Sequence, residues 1–235
     1  MALKPEVFLD RDIKEAKDFR LRSKSRISGD WDLRPLRKYR GPAKKTRRVH
    51  LVVGDSHAHP DVPNYRYEAL GKFVAEYADK IGIVVFMGDQ ADMPSLMGFD
   101  KRSLGPLFDG RRYHRDIDAA VDAMARFIEP VRALRKQPKI LALMGNHEFR
   151  IERCLAEEPR FRGVIGYEDL MLEDLGIETA GFLEVVSIDG IRYCHYWKSP
   201  GSERALSGET IGRSSILKYP GGYSRICGHS HRFDW

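Results

Sequence analysis

Apolar positions along the chain fall into two kinds of run. Leu51-Val52-Val53, Ile83-Val84-Val85-Phe86 and Ile140-Leu141-Ala142-Leu143 are continuous, of strand length, and stop at Gly54-Asp55, Gly88-Asp89 and Gly145-Asn146. Such short unbroken runs suit strands buried on both faces. Between them apolar residues recur at helical spacing: Leu70, Phe73, Val74 and Tyr77 within Tyr65 to Asp79, then Ile117, Ala120, Val121, Met124, Phe127 and Ile128 within Asp116 to Lys136. Strands alternating with helices predict an α/β sheet. The later half reads as helices 149–157 and 167–175, strand 182–188, strand 191–196, helix 210–218 and strand 223–227. Asp189-Gly190 between two β-rich runs predicts a hairpin, so this part is more antiparallel.

Residues before Val49 follow neither pattern. A charged helix is expected over 6–26, with Val7, Phe8, Ile13, Ala16, Phe19 and Leu21 as its sparse apolar positions. Gly29, Pro35, Gly41 and Pro42 make 27–48 a linker. Residues 1–48 hold 16 Lys/Arg against 7 Asp/Glu, which leaves 24 against 27 for the other residues of the chain. The net charge of +6 therefore belongs to the arm. Such an arm suits nucleic acid or another polyanion, and a solvated extension is its equal alternative.

At 235 residues the chain suits one domain, 49–235, with this appendage. No apolar run approaches the roughly 18 residues of a membrane span. The first residues turn charged before any apolar segment, and the three cysteines show no paired spacing. A cytoplasmic, intracellular protein with buried thiols is expected.

The candidate chemistry lies where strands stop. Gly54-Asp55-Ser56-His57, Gly88-Asp89-Gln90-Ala91-Asp92 and Gly145-Asn146-His147-Glu148 follow three strands, His195 ends a fourth, and Gly228-His229-Ser230-His231 follows a fifth. Carboxyl ends of strands in an α/β sheet face a common crevice, so these side chains can converge. Five of the eight histidines fall in these positions. Mixed oxygen and imidazole donors without thiolate suit Mn, Fe, Zn, Co or Ni. Two such ions outweigh Asp55 and Asp89 in charge, which suits a phosphate-binding centre. Glu148 reads as a residue at a helix start rather than a ligand. His50, His59 and His114 read as structural or surface groups, with His59 a candidate for the mouth of the site. Cys194 and Cys227 read as core. Tyr65, Tyr67, Tyr113, Tyr196 and Trp197 suit either core or a lined entrance.

The order D-x-H, G-D-x-x-D, G-N-H-E, H and G-H-x-H over about residues 49–232 resembles the calcineurin-like metallophosphoesterase superfamily. The resemblance implies a β-sandwich with helices on both faces and two divalent metal ions, Mn2+ first among them. It implies that Asp55, His57, Asp89 and His231 hold the first ion, that Asp89 bridges, and that Asn146, His195 and His229 complete the second. His147 corresponds to a non-ligand histidine that contacts phosphate and protonates the leaving oxygen, oriented by Asp92. The implied reaction is hydrolysis of a phosphate ester by metal-activated water.

Departures bear on substrate. Met93-Pro94-Ser95 follows Asp92, and Met144 precedes Gly145, where phosphoprotein phosphatases of the superfamily carry arginine. Tyr196 follows His195 where glycine is frequent. Residues 93–138, with Lys101, Arg102, Arg111, Arg112, His114 and Arg115, resemble an inserted substrate-selecting cap. Phosphodiesters, nucleic acid or nucleotide, are therefore expected ahead of phosphomonoesters. The alternatives are a small-molecule phosphomonoesterase or pyrophosphohydrolase, or a nucleic-acid-binding protein with a vestigial metal site. Because Arg232-Phe233-Asp234-Trp235 alone follow His231, a shortened chain with an exposed sheet edge near 223–227 is also expected.

Overall fold

The computed structural model describes residues 49–97, 110–198 and 223–231. The basic arm 1–48, the expected helix 210–218 and the residues after His231 lie outside the described residues. Four parallel strands form one sheet in the order β1 (Val49–Val53), β2 (Ile81–Phe86), β3 (Lys139–Leu143) and β4 (Glu178–Ala180). A second sheet holds β5 (Val186–Ile188), β6 (Ile191–Tyr193) and β7 (Ser224–Ile226). Strands β5 and β6 pair antiparallel, and β7 joins β6 in parallel. Asp189 and Gly190 close the hairpin with φ of 49° and 82°, the double left-handed turn that Asp-Gly favours.

The register of β2 explains its unbroken apolar sequence. Val84 and Phe86 face one core with Val74, Val121, Phe127 and Ile128. Ile83, Val85 and Met87 face another with Leu141, Leu143 and Tyr193, against which Val186, Ile188, Ile191 and Ile226 of the second sheet pack. Alternate side chains of one strand thus serve two cores. Each fully buried aliphatic or aromatic side chain contributes roughly 1.5–3 kcal/mol of burial.

The first core is roofed by helices α1 (Tyr65–Glu76), α2 (Tyr113–Arg132) and α3 (Arg150–Glu157). Phe86 meets Phe127 edge-on at 5.0 Å, joining β2 to α2. The expected cap segment 93–138 thus contains a core helix: Ile117, Val121, Met124, Phe127 and Ile128 of α2 are all buried. Lys101 and Arg102 lie outside the described residues.

Three elements differ from expectation. The helix expected over 167–175 is a 3-10 turn at Tyr167–Leu170, ended by Met171 at φ 54°. Its apolar spacing serves burial of Leu170, Leu172 and Leu175 from irregular backbone. The strand expected over 182–188 shortens to β5, because Leu183 at φ 63° and a Glu184 N–H bond to Gly181 O make a turn. Strand β4 was not foreseen: Glu178-Thr179-Ala180 carries no apolar run. Among the described residues no helix is long and apolar enough to cross a membrane.

Candidate metal centre

Strands β1, β2 and β3 run in parallel, so their following loops emerge at one edge, where the residues after β6 and β7 also arrive. Eight of the nine residues singled out from the sequence meet there in three groups, of which the first and third share His57: Asp55, His57 and His231; Asp89, His195 and His229; and His57, Asp92 and His147. Asn146 joins the second group through its carbonyl. The backbone bends hard to achieve this. His57, Asp89, His229 and His231 all have left-handed φ, between 44° and 65°, a conformation that costs of order 1–3 kcal/mol for a non-glycine residue. Gly88 (φ 98°) takes the same region cheaply, and Gly145 permits closest approach: a Cβ there would strike the carboxylate and main-chain nitrogen of Asp89.

In the first group His231 Nε2 lies 3.0 Å from Asp55 Oδ2 and 3.3 Å from His57 Nε2. Asp55 Oδ2 accepts the N–H of His229 at 2.7 Å. Its other oxygen, Oδ1, is buried without a hydrogen-bond partner among the described residues. An unpaired buried carboxylate oxygen is costly. A cation held with the two imidazoles would satisfy it.

In the second group His195 is buried, and its Nδ1 lies 2.8 Å from Met87 O. A proton on Nδ1 makes that bond and turns the Nε2 lone pair toward the centre. There Nε2 meets Asn146 Oδ1 at 2.8 Å and Asp89 Oδ2 at 3.4 Å, while His229 Nδ1 meets Asn146 Oδ1 at 2.7 Å. Acceptors that converge in this way need a proton or a metal between them, and the donor set fits a divalent cation. Without one the protons respond. Burial pushes the His195 imidazole down, but its bond to Asp89 outweighs that and leaves its pKa raised. Burial and the charge of His195 hold His229 below its ordinary value. Burial would raise the Asp89 carboxyl, yet the bond from His195 and the charges of His195 and His147 leave it lowered.

The third group centres on Asp92. Its Oδ1 lies 2.9 Å from His147 Nδ1 and 3.3 Å from His57 Nδ1, and its main-chain carbonyl lies 2.7 Å from His147 Nδ1. The His147 Nδ1 is therefore occupied by Asp92, and its Nε2 lies 3.0 Å from Arg150 Nη2. Burial opposes ionisation of Asp92, but hydrogen bonds from His147 and His57 hold its carboxyl well below the ordinary range. The Asp92 bond in turn raises the His57 imidazole against its burial. The His59 Nε2 lies 3.8 Å from Asp92 Oδ2, at the edge of this group.

Other residues find their places. His50 pairs with the Tyr193 hydroxyl at 2.6 Å and with Asp189 at 3.1 Å, outside the centre. Cys194 packs with Trp197 and Cys227, and burial pushes its thiol up to about 11. The ring of Tyr196 lies 4.8 Å from that of His229, at the centre's rim.

Sequence reading missed three supports. The carboxylate of Glu148, taken as a mere residue of the helix start, is fully buried and accepts N–H groups of Asp89, Ala91 and Gly145 at 3.0, 2.7 and 2.8 Å. Tyr67, on α1, ties the loops after β1 and β2 together: its hydroxyl donates to Gln90 O at 2.8 Å and accepts from the Ser56 hydroxyl at 2.9 Å. Arg150 reaches His147. The signal for Glu148 was an acid after Asn146 and His147 at a strand end, which spacing alone cannot separate from a helix cap.

A model of the calcineurin-like phosphoesterases matches residues 50–233. The chain belongs to this family. It is thus a metal-dependent phosphoester hydrolase by class, and its His/Asp groups are of the kind that hold divalent ions. Comparison with curated proteins returns no match, and comparison with solved structures returns none either.

Proposed function

We propose that this calcineurin-like phosphoesterase hydrolyses phosphodiesters, of nucleic acid or nucleotides, at a dinuclear centre. The observation that carries this reading is the convergence of two donor groups, Asp55–His57–His231 and Asp89–His195–His229, with Asn146 beside the second. Asp55, His57 and His231 would hold one ion, and Asn146, His195 and His229 the other. Asp89 would bridge them within a β-sandwich framework. Manganese is the expected metal. Two divalent cations held there would supply activation of water at neutral pH and neutralisation of charge at phosphorus.

The chain's own residues do the rest. His147, held through Nδ1 by Asp92, presents Nε2 to the leaving oxygen and passes a proton to it there. The Asp92 carboxylate also lies 3.3 Å from His57 Nδ1, which would leave the opposite nitrogen for the first ion. The basic arm 1–48 supplies a polyanion contact outside the described residues.

The test is a metal-by-substrate panel: bis-p-nitrophenyl phosphate, p-nitrophenyl phosphate, pyrophosphate, cyclic nucleotides, and single-stranded and duplex DNA, each with Mn, Fe, Zn, Co and Ni. Metal-dependent turnover with diesters ahead of monoesters is expected. The reverse order favours the small-molecule phosphomonoesterase or pyrophosphohydrolase reading. Nucleic-acid binding without turnover of any ester would overturn the hydrolytic reading.

A further inference from the structure

The Nε2 of His147, the atom that must meet the leaving oxygen, lies 3.0 Å from Nη2 of Arg150. The same guanidinium is fixed from behind: Nη1 donates to the carbonyls of Asp92 at 2.7 Å and Met93 at 3.2 Å. The Asp92 carbonyl thus accepts from Arg150 and also meets His147 Nδ1. Met93 has φ 50°, a strained left-handed conformation for a bulky side chain. That turn aims two successive carbonyls at one guanidinium, and strain kept in a turn calls for a function.

We propose that Arg150 is the phosphate-binding cation of this centre. A phosphoryl oxygen that approaches His147 Nε2 to within hydrogen-bond distance, about 3 Å, enters the reach of Nη2 as well. There the planar fork offers charge-assisted hydrogen bonds to non-bridging oxygens. In the free centre Nη2 donates to the unprotonated Nε2. Once Nε2 carries the proton for the leaving oxygen, Nη2 has no acceptor there and turns to the phosphoryl oxygen. Arg150 thus touches the substrate that His147 protonates, and the shared Asp92 carbonyl keeps the two aligned. The cation reaches the centre from the helix after the Gly145-Asn146-His147-Glu148 loop. The positions after Asp92 and before Gly145 need not supply it. This inference rests on the hydrolytic reading above, but its test also reads binding without turnover.

The experiment compares Arg150→Ala and Arg150→Lys with the wild type in the full, metal-loaded chain. Calorimetry measures inorganic phosphate binding, and kcat/KM is taken on the best ester of the panel. Metal content and Tm of each variant exclude a simple strut. The Ala variant is expected to lose phosphate affinity and about a hundredfold in kcat/KM with metal content retained, as for loss of one preorganised donor. Added guanidinium ion should restore part of both. The Lys variant, charged but without the fork, should fall between, and it carries the test if the Ala variant does not fold. Phosphate affinity equal to wild type in the folded variants would overturn the proposal. So would a loss of phosphate affinity that merely tracks loss of metal. If the wild type turns over no ester, the hydrolytic reading fails while the phosphate comparison still judges Arg150.

Discussion

Glu148 lies wholly buried with its Oε2 accepting the main-chain N–H of Asp89 at 3.0 Å, so the strand-end loop that carries Asp89 is fastened to the loop after β3. The same Oε2 takes the Gly145 N–H at 2.8 Å, and Oε1 takes that of Ala91 at 2.7 Å. Burial, then the charge of Asp89, pushes the Glu148 carboxyl above its ordinary pKa, and the N–H groups oppose that push. Both oxygens are needed as acceptors. Glu148→Gln turns one of them into an NH2 group facing an N–H, which leaves buried donors unmatched at about 1–3 kcal/mol. Urea denaturation of the metal-free protein should register that loss, and calorimetry should show weaker metal binding. Wild-type stability and affinity would reduce Glu148 to a helix-start residue after all.

Two strand-end glycines should respond oppositely to one methyl group. A Cβ at Gly145 would strike the Asp89 carboxylate and main-chain nitrogen, whereas a Cβ at Gly54 meets nothing within 4 Å. Gly145→Ala must therefore displace Asp89, at about 1–3 kcal/mol for overpacking, and weaken metal binding. Gly54→Ala should be neutral or slightly stabilising, because it restricts the unfolded chain. Equal effects of the two substitutions on denaturation midpoint and metal affinity would contradict the packing described here.

The Asp92 pair gives the metal-free protein a pH signature. The His57 imidazole is raised, chiefly by its bond to Asp92, so it adds stability that is complete below its unfolded pKa of about 6.5 and is lost as pH rises through the folded value. Asp92 is lowered: burial works against its charge, and the bonds from His147 and His57 prevail. Its contribution is present above an unfolded pKa of about 3.9 and is lost as pH falls through the folded value. The stability difference between wild type and Asp92→Asn, measured with chelator, should be largest between these limits and shrink on either side. A difference independent of pH from 4 to 9 would break the link between Asp92 and His57.

Much of the core and of the centre's composition was legible in the sequence. The apolar runs around Leu51, Val84 and Leu141 located the three central strands, because strands buried on both faces leave no polar interruption. The donors clustered where those runs stopped, because parallel strands send their ends to one edge. Legibility failed where residues act through distant partners. The acceptor role of Glu148 depends on three main-chain N–H groups, two of them on another strand's loop. The reach of Arg150 to Asp92, Met93 and His147 depends on a turn at Met93 that no local pattern announces. Strand β4, with Glu178 and Thr179 exposed, is defined by its pairing to β3 rather than by its own residues.

His147 belongs geometrically to a third possible metal group with His57 and Asp92, and its removal separates ligand from acid. Its Nδ1 is already within 2.9 Å of Asp92 Oδ1 and 2.7 Å of Asp92 O, so proton transfer falls to Nε2, which in the free centre meets Arg150 Nη2 at 3.0 Å. Its main-chain N–H, bonded to Asp89 Oδ1 at 2.8 Å, survives any side-chain change. His147→Gln should therefore keep wild-type metal stoichiometry by elemental analysis. Loss of a general acid of this kind typically costs about 10²–10⁴ in rate. The loss should be steepest for esters with poor leaving groups, since an activated p-nitrophenolate departs without a proton and an alkoxide does not. Comparing kcat on bis-p-nitrophenyl phosphate with kcat on an unactivated dinucleotide reads that slope directly. Equal losses on both substrates would remove His147 from proton transfer, and loss of one metal equivalent would make it a ligand instead.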